Sequence, residues 1–183
     1  MTDFSSEAVS ALSSDSMLAT AIDPDEQFLR LQLGAKTPML LPVQQLTEVL
    51  TIPENQIMPI PYMPAWVMGV YNWRGEILWM IDLGHLCGLA PWYESPTYRS
   101  THLAVVLNLL EPAVNSPGVA QTLGLVVQQI EDIECCPLQA IQPWPPASIP
   151  LELIPFAAGY WQSSEQESLA ILDGRAILQR IST

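Results

Sequence analysis

Basic residues are scarce in this chain of 183 residues: six Lys and Arg stand against 19 Asp and Glu, for a formal net charge of −13. A surface so acidic repels a phosphate backbone, because nucleic-acid affinity rests on basic side chains that release counterions. The same shortage argues against direct docking on anionic lipid. Long apolar runs are missing too. Leu103–Leu107 is only strand-length and Asn108 breaks the run, so no direct membrane insertion is expected. The N-terminus carries Asp3 and Glu7 and lacks a basic stretch, unlike a secretory signal. Cysteine is limited to Cys87, Cys135 and Cys136, an odd number with no C-x-x-C spacing, which fits buried thiols in a reducing, cytoplasmic setting.

The motifs of catalysis and cofactor binding are equally sparse. His85 and Cys87 lie two apart on a short predicted helix, so they face different ways and share no metal. His102 opens a predicted strand with no acidic or thiol neighbour in sequence. Neither a G-x-S-x-G elbow nor a glycine-rich phosphate loop occurs. Glu131, Asp132 and Glu134 are expected to form a solvated acidic edge that blocks strand-to-strand aggregation. No enzyme activity, cofactor or metal is expected.

What the chain does have is a repeat. Leu41-Pro42-Val43-Gln44-Gln45-Leu46-Thr47-Glu48-Val49-Leu50 is answered by Leu125-Val126-Val127-Gln128-Gln129-Ile130-Glu131-Asp132-Ile133-Glu134. The same offset carries Ile57, Pro59 and Pro61 onto Ile141, Pro143 and Pro145. Gly69 through Asp82-Leu83 is echoed by Gly159 through Asp173-Gly174. One supersecondary unit used twice predicts two similar lobes with a groove between them. Seventeen Pro and nine Gly favour short strands and turns. Each copy reads as about five antiparallel strands plus a terminal helix, curling into a small barrel, with helices opened by Asp82 and Asp173. Residues 1–25 read as a flexible tail and 26–183 as the folded unit, with lobes at roughly 35–100 and 101–160 and terminal strands exchanged or shared.

Six Trp (66, 73, 79, 92, 144 and 161) exceed what so small a core absorbs, and Trp66, Trp73 and Trp79 are candidate aromatic interface residues. Arg74 sits beside Gly75 at a predicted hairpin tip, with Glu48 as the carboxylate placed to receive a bidentate fork.

The run from Pro61 to Leu83, P-Y-M-P-A-W-V-M-G-V-Y-N-W-R-G-E-I-L-W-M-I-D-L, resembles the central motif of the CheW family of chemotaxis coupling proteins. Leu46-Thr47-Glu48-Val49 is similar to that family's V-x-E-V/I strand, and the resemblance extends from about Phe28 to Ile181. It implies a mainly β fold of two five-stranded SH3-like barrels with short helices and a C-terminal helix. It also implies a non-catalytic adaptor between a CheA-type histidine kinase and a methyl-accepting chemotaxis-type receptor. Leu46, Glu48, Asn72, Arg74 and Gly75 then match receptor-groove positions. Trp73 and Trp79 depart from the usual Leu and Pro, and the motif in detail is most similar to cyanobacterial members tied to phototaxis and type IV pilus motility. Two alternatives are a kinase regulatory module and a small-ligand sensor using the Trp-rich junction.

Overall fold

The computed structural model describes residues 25–34, 37–94, 100–110, 120–143, 145 and 147–181. All but the last residue of the predicted tail, residues 95–99 and Trp144 lie outside the described residues. The first half contributes β1 (Asp25–Gln32), β2 (Pro38–Pro42), β3 (Leu46–Pro53), β4 (Val67–Trp73), β5 (Glu76–Asp82) and α1 (Leu83–Leu86). The second half repeats the order with β6 (Thr101–Leu110), β7 (Ala120–Val127), β8 (Gln129–Pro137), β9 (Ala157–Gln162), β10 (Ser168–Leu172) and α2 (Gly174–Ile181).

These strands form two five-stranded sheets, and neither is a contiguous stretch of chain. Sheet A runs β8-β1-β2-β10-β9 and sheet B runs β3-β6-β7-β5-β4. Each sheet therefore joins a two-strand hairpin from one repeat to three strands from the other. The joint is parallel in both cases, β2 with β10 and β5 with β7, which corrects the expectation of wholly antiparallel lobes. The reason is the exchange itself: two strands from different repeats meet side by side without a connecting turn, so nothing obliges them to run in opposite directions.

The edges of each sheet come back together through one bridge. Met58, just past β3, pairs with Val70 of β4, and Gln142, just past β8, pairs with Tyr160 of β9. That closure turns each sheet into a small barrel and removes an open edge. Gly69 makes the first bridge possible. Its φ is +143°, and a Cβ there would stand 2.2 Å from the Met58 carbonyl oxygen.

Strand periodicity then produces three cores. Alternate residues of β6 and β7 face opposite ways: Ala104, Val106 and Val126 join Ile52, Ile57, Leu78 and Met80 inside barrel B. Val105, Leu107, Leu123, Leu125 and Val127 instead pack between the sheets with Leu29, Leu31, Met39 and Leu41. Barrel A is filled by Phe28, Leu40, Cys136, Leu169 and Ile171. Strands buried on both faces read as continuous apolar runs, as Ala104–Leu107 does. Corresponding positions trade volume. Gly124 lies opposite Met80 in barrel B, and a Cβ on it would come within 2.6 Å of the Met80 sulfur. In barrel A the same pair is Leu40 opposite Ile171. A large residue beside none and two middle-sized ones fill similar space, which is what close packing requires.

Both helix starts form as expected. Asp82 Oδ1 accepts from the His85 amide, and Asp173 Oδ1 accepts from the amides of Arg175 and Ala176. Ala65-Trp66 is a turn leading into β4, closed by the Val67 amide donating to the Pro64 carbonyl.

Candidate functional site

The best-formed polar constellation on the surface is built by β3 and the β4–β5 hairpin. The two-residue loop Arg74-Gly75 has φ of +54° and +88°, so both central residues are left-handed, as in the hairpin turn whose twist matches its strands. Gly75 takes that conformation without penalty, and the Asn72 side-chain oxygen accepts from the Gly75 amide at 3.0 Å to lock the loop. On β3 a bulge falls between Leu46 and Glu48, where the register against β6 shifts. Such an extra residue re-aims the next side chain, here Glu48, toward the hairpin.

The Glu48 carboxylate receives two donors on one oxygen. Arg74 Nη2 and Trp73 Nε1 each lie 2.9 Å from Glu48 Oε2, and the Arg74 guanidinium carbon stands 5.1 Å from the Trp73 ring centre. The expected bidentate fork is thus replaced by a three-residue cluster, since the indole N–H occupies part of the space a second guanidinium contact would use. Arg74 remains 68% exposed and Glu48 32% exposed. Sequence reading missed Trp73 as Glu48's partner. The available signal was that a half-buried indole needs an acceptor.

The remaining sequence-predicted residues are spread more widely. Leu46 is half-buried against the core between the sheets, and Trp66 and Trp79, also half-buried, pack against that same core. Trp73 covers the barrel B core. Ile77, opposite Asn72 beside the hairpin turn, is 73% exposed. A cavity of about 850 Å3 does open between the two sheets, but Leu46, Glu48, Asn72, Arg74 and Gly75 do not line it.

Barrel A carries the counterpart charge cluster, around a partly buried arginine rather than an exposed one. Arg30 Nε lies 2.6 Å from Glu131, Nη2 lies 2.5 Å from Glu167 and Nη1 lies 3.5 Å from Glu134. Glu131 and Glu134 are therefore partners of an arginine, which corrects their reading as a solvated edge; only Asp132 of that run is exposed among the three acids. The cause is the antiparallel pairing of β1 with β8, which puts Arg30 across the strand from them. Burial pulls the Arg30 pKa down, but Glu167 and Glu131 outweigh it and hold the group above its ordinary value. His102 also gains acidic neighbours in space. Burial lowers its pKa, while Glu54 and Asp82 pull the other way. Burial, with Asp82 adding to it, pushes the Cys87 thiol up to about 12, leaving it protonated and unreactive at neutral pH. Among the described residues no group of His, Cys, Asp and Glu is arranged to hold a metal, and no helix is long and apolar enough to cross a membrane.

Comparison with known proteins decides the family. The CheW-like domain profile matches residues 27–182. The chain belongs to the CheW-like family. That family consists of non-catalytic scaffold proteins. Among curated relatives, the chain is 34% identical over 93 residues to a probable chemotaxis protein CheW of Rhizobium etli, covering 51% of this chain and 52% of the relative. It is 31% identical over 87 residues to a chemotaxis protein CheW of Rhizobium meliloti, covering 48% of each. The chain thus spans about half the length of the curated relatives it matches. The crystal structure of the scaffolding protein TtCheW from Thermoanaerobacter tengcongensis superposes with a TM-score of 0.64 at 20% identity, covering 81% of this chain and 89% of that one. The fold is accordingly CheW-like.

Proposed function

We propose that this CheW-like chain is a non-catalytic adaptor that couples a methyl-accepting chemotaxis-type receptor to a CheA-type histidine kinase. In this reading a helical receptor tip rests against the β3 and β4–β5 surface, through Leu46, Glu48, Asn72, Arg74 and Gly75, and the kinase regulatory domain docks elsewhere. The observation that carries it is the Glu48–Trp73–Arg74 cluster in a chain matched by the CheW-like domain almost end to end. Of five guanidinium N–H groups, Arg74 commits one nitrogen to Glu48, and its exposure leaves the rest of the fork to face a partner. Exposed Ile77 and half-buried Trp73 add apolar area beside it, the mixture of aromatic, arginine and aliphatic contact that anchors protein interfaces.

The adaptor works in the cytoplasm, held at receptor arrays through its partners. The motif W-V-M-G-V-Y-N-W-R-G supports the finer assignment to a phototaxis or pilus-dependent motility pathway. Trp73 and Trp79 enlarge the aromatic surface there relative to the usual Leu and Pro. Binding of the chain to a receptor cytoplasmic tip and to a kinase regulatory domain, measured separately by calorimetry, tests the reading. Arg74→Ala should weaken the receptor contact by about tenfold or more, as loss of an interface arginine does, and leave the kinase contact within about twofold. Equal loss of both contacts would mean that the surfaces overlap, and would end the two-surface adaptor. Leu46→Asp is a poorer probe, because Leu46 packs on the core and its replacement disturbs folding as well.

A further inference from the structure

A second depression, of about 470 Å3, lies where the end of α1, the turn Leu151–Phe156 and α2 meet. It shares no lining residue with the cavity between the sheets or with the Glu48–Trp73–Arg74 cluster. Its floor is apolar, built from Leu86, Cys87 and Phe156, all buried residues. Leu151, beside Glu152 in the same turn, is 76% exposed. An apolar groove next to a bare leucine is surface that another segment of chain can cover.

Charge and chain path both say which segment that is. α2 carries two of the six basic residues of the chain, Arg175 and Arg180, and both are exposed. The ion pairs formed among the described residues use Arg30 and Arg74 instead. Arg180 lines the groove, and Arg175 stands four residues before Gln179, which lines it too, on the same helix face. Glu152 is the one acid of the lining, and Asp173 is held at the start of α2 by the Arg175 and Ala176 amides. On a chain of net charge −13, this helix is where an acidic segment meets cations rather than further carboxylates. Residues 1–24 are such a segment. They contain Asp3, Glu7, Asp15 and Asp23 with no Lys, Arg or His, and Phe4, Leu12, Met17 and Ile22 are spaced among the acids. They also join the fold at the right end. Phe28 lies antiparallel opposite Pro42, and Leu40 lies parallel opposite Ile171. Asp25 therefore enters sheet A at the end where β10 passes on toward α2. A segment of this length reaches about 80 Å when extended, roughly twice the diameter of a fold of this size.

We propose that residues 1–24 fold back onto this groove, with apolar side chains over Leu86, Cys87 and Phe156 and carboxylates against Arg175 and Arg180. The contact is made within one chain and away from β3 and the β4–β5 hairpin, so it stands or falls independently of the adaptor reading. Paramagnetic relaxation in the full chain tests it. A nitroxide is attached at Ser10→Cys in a Cys135→Ser background, since Cys135 is the exposed thiol while Cys87 and Cys136 are buried. Amide relaxation should be enhanced at α1, the Leu151–Phe156 turn and α2 above the rest of the fold. Arg175→Gln combined with Arg180→Gln should lower the ratio of docked to free segment by about threefold or more, as loss of two exposed ion pairs does. Both positions are exposed, so the double variant keeps the fold. No enhancement, or enhancement centred on another part of the surface, would overturn the proposal. An unchanged pattern in the double variant would also overturn it, by removing the preference for the basic helix. In a mixture of spin-labelled chain with isotope-labelled chain lacking the nitroxide, an internal contact gives no enhancement. Equal enhancement in that mixture would overturn the proposal by assigning the groove to a second copy.

Discussion

The two barrels share a topology and use arginine in opposite ways. In barrel A, Arg30 of β1 reaches Glu131 and Glu134 on the edge strand β8 and Glu167 in the connection from β9 to β10. It links both edges of the sheet from inside. In barrel B the corresponding position on the hairpin strand is Val106: it lies opposite Gly124 as Arg30 lies opposite Leu40, and it is fully buried. Barrel B therefore closes over an apolar interior, and its arginine sits out on the β4–β5 turn. One copy of the repeat spends its charge on architecture, and the other leaves its charge at the surface. Duplication allows this division, because each half can lose what the other retains.

Glycine at the closing bridge offers the severest test of the comparison. A methyl group on Gly69 would collide with the Met58 backbone at 2.2 Å, at a φ that side chains rarely adopt. On Gly159 the nearest atom is the Ile141 side chain at 2.7 Å, with the Gln142 carbonyl at 3.3 Å. Side chains yield more readily than backbone. Gly69→Ala should therefore cost on the order of 3 kcal/mol or more, and Gly159→Ala about 1–2 kcal/mol. Chemical denaturation of the two variants measures both. Equal costs would mean that the two closures are mechanically equivalent.

The arginines come next. Removing Arg30 leaves three carboxylates facing one another in a partly buried site. Breaking a buried pair costs several kcal/mol, and solvent access to the glutamates reduces this, so Arg30→Met should destabilise by about 2 kcal/mol. For a chain of this size that corresponds to a fall in melting temperature of roughly 4–8 °C. Arg74→Ala should lower it by less than about 3 °C, since exposed pairs contribute at most about 1 kcal/mol. Matching shifts would dissolve the distinction between a structural and a presented arginine.

A third contrast lies at the start of the hairpin strands. His102 stands opposite Ile52 in barrel B, and Glu26 stands opposite Cys136 in barrel A. With its folded-state pKa below the ordinary 6.5, His102 binds its proton more weakly in the native state than in the unfolded one. Stability is then fully present above pH 6.5 and falls as pH drops through the window beneath it, with a slope of at most about 1.4 kcal/mol per pH unit. Glu54 and Asp82 face the imidazole and soften the effect. His102→Gln should flatten this part of the profile. An unchanged slope in denaturation series between pH 5 and pH 7 would assign it to other groups.

The duplicated unit, the Asp82 and Asp173 caps and the Arg74-Gly75 turn were legible in sequence because each depends on neighbours within a few residues. Exchanged or shared terminal strands were expected, but that the whole β1–β2 and β6–β7 hairpins cross over was not legible, because either repeat offers the same apolar pattern to a partner strand, and the choice between them is made in tertiary packing. The Arg30 cluster was hidden for a related reason. Its partners are 101 and 137 residues away, and the acids of β8 look like a solvated run until β1 is laid beside them. Gln32, Trp92 and His102 meet around one cavity only because strands from both repeats converge there.

A small change in stability should also carry a change in recognition. Trp73→Leu restores the residue usual at this position in the motif. It removes the indole donor from Glu48 and the ring beneath Arg74, while leaving the Arg74–Glu48 contact itself available. Half-burial against the barrel B core is largely kept by a leucine, so a loss of about 1 kcal/mol is expected, near the value of one hydrogen bond plus some lost contact. Arg74, no longer held over the ring, becomes free to rotate. Under the adaptor reading, affinity for the receptor tip should fall through faster dissociation, with the association rate nearly unchanged, because the charge is still present and only its positioning is lost. Surface plasmon resonance with wild type and Trp73→Leu separates the two rates. A slower association with an unaltered dissociation rate would show that Trp73 acts in the encounter itself, and the presented cluster would have to be redrawn around the indole rather than the guanidinium.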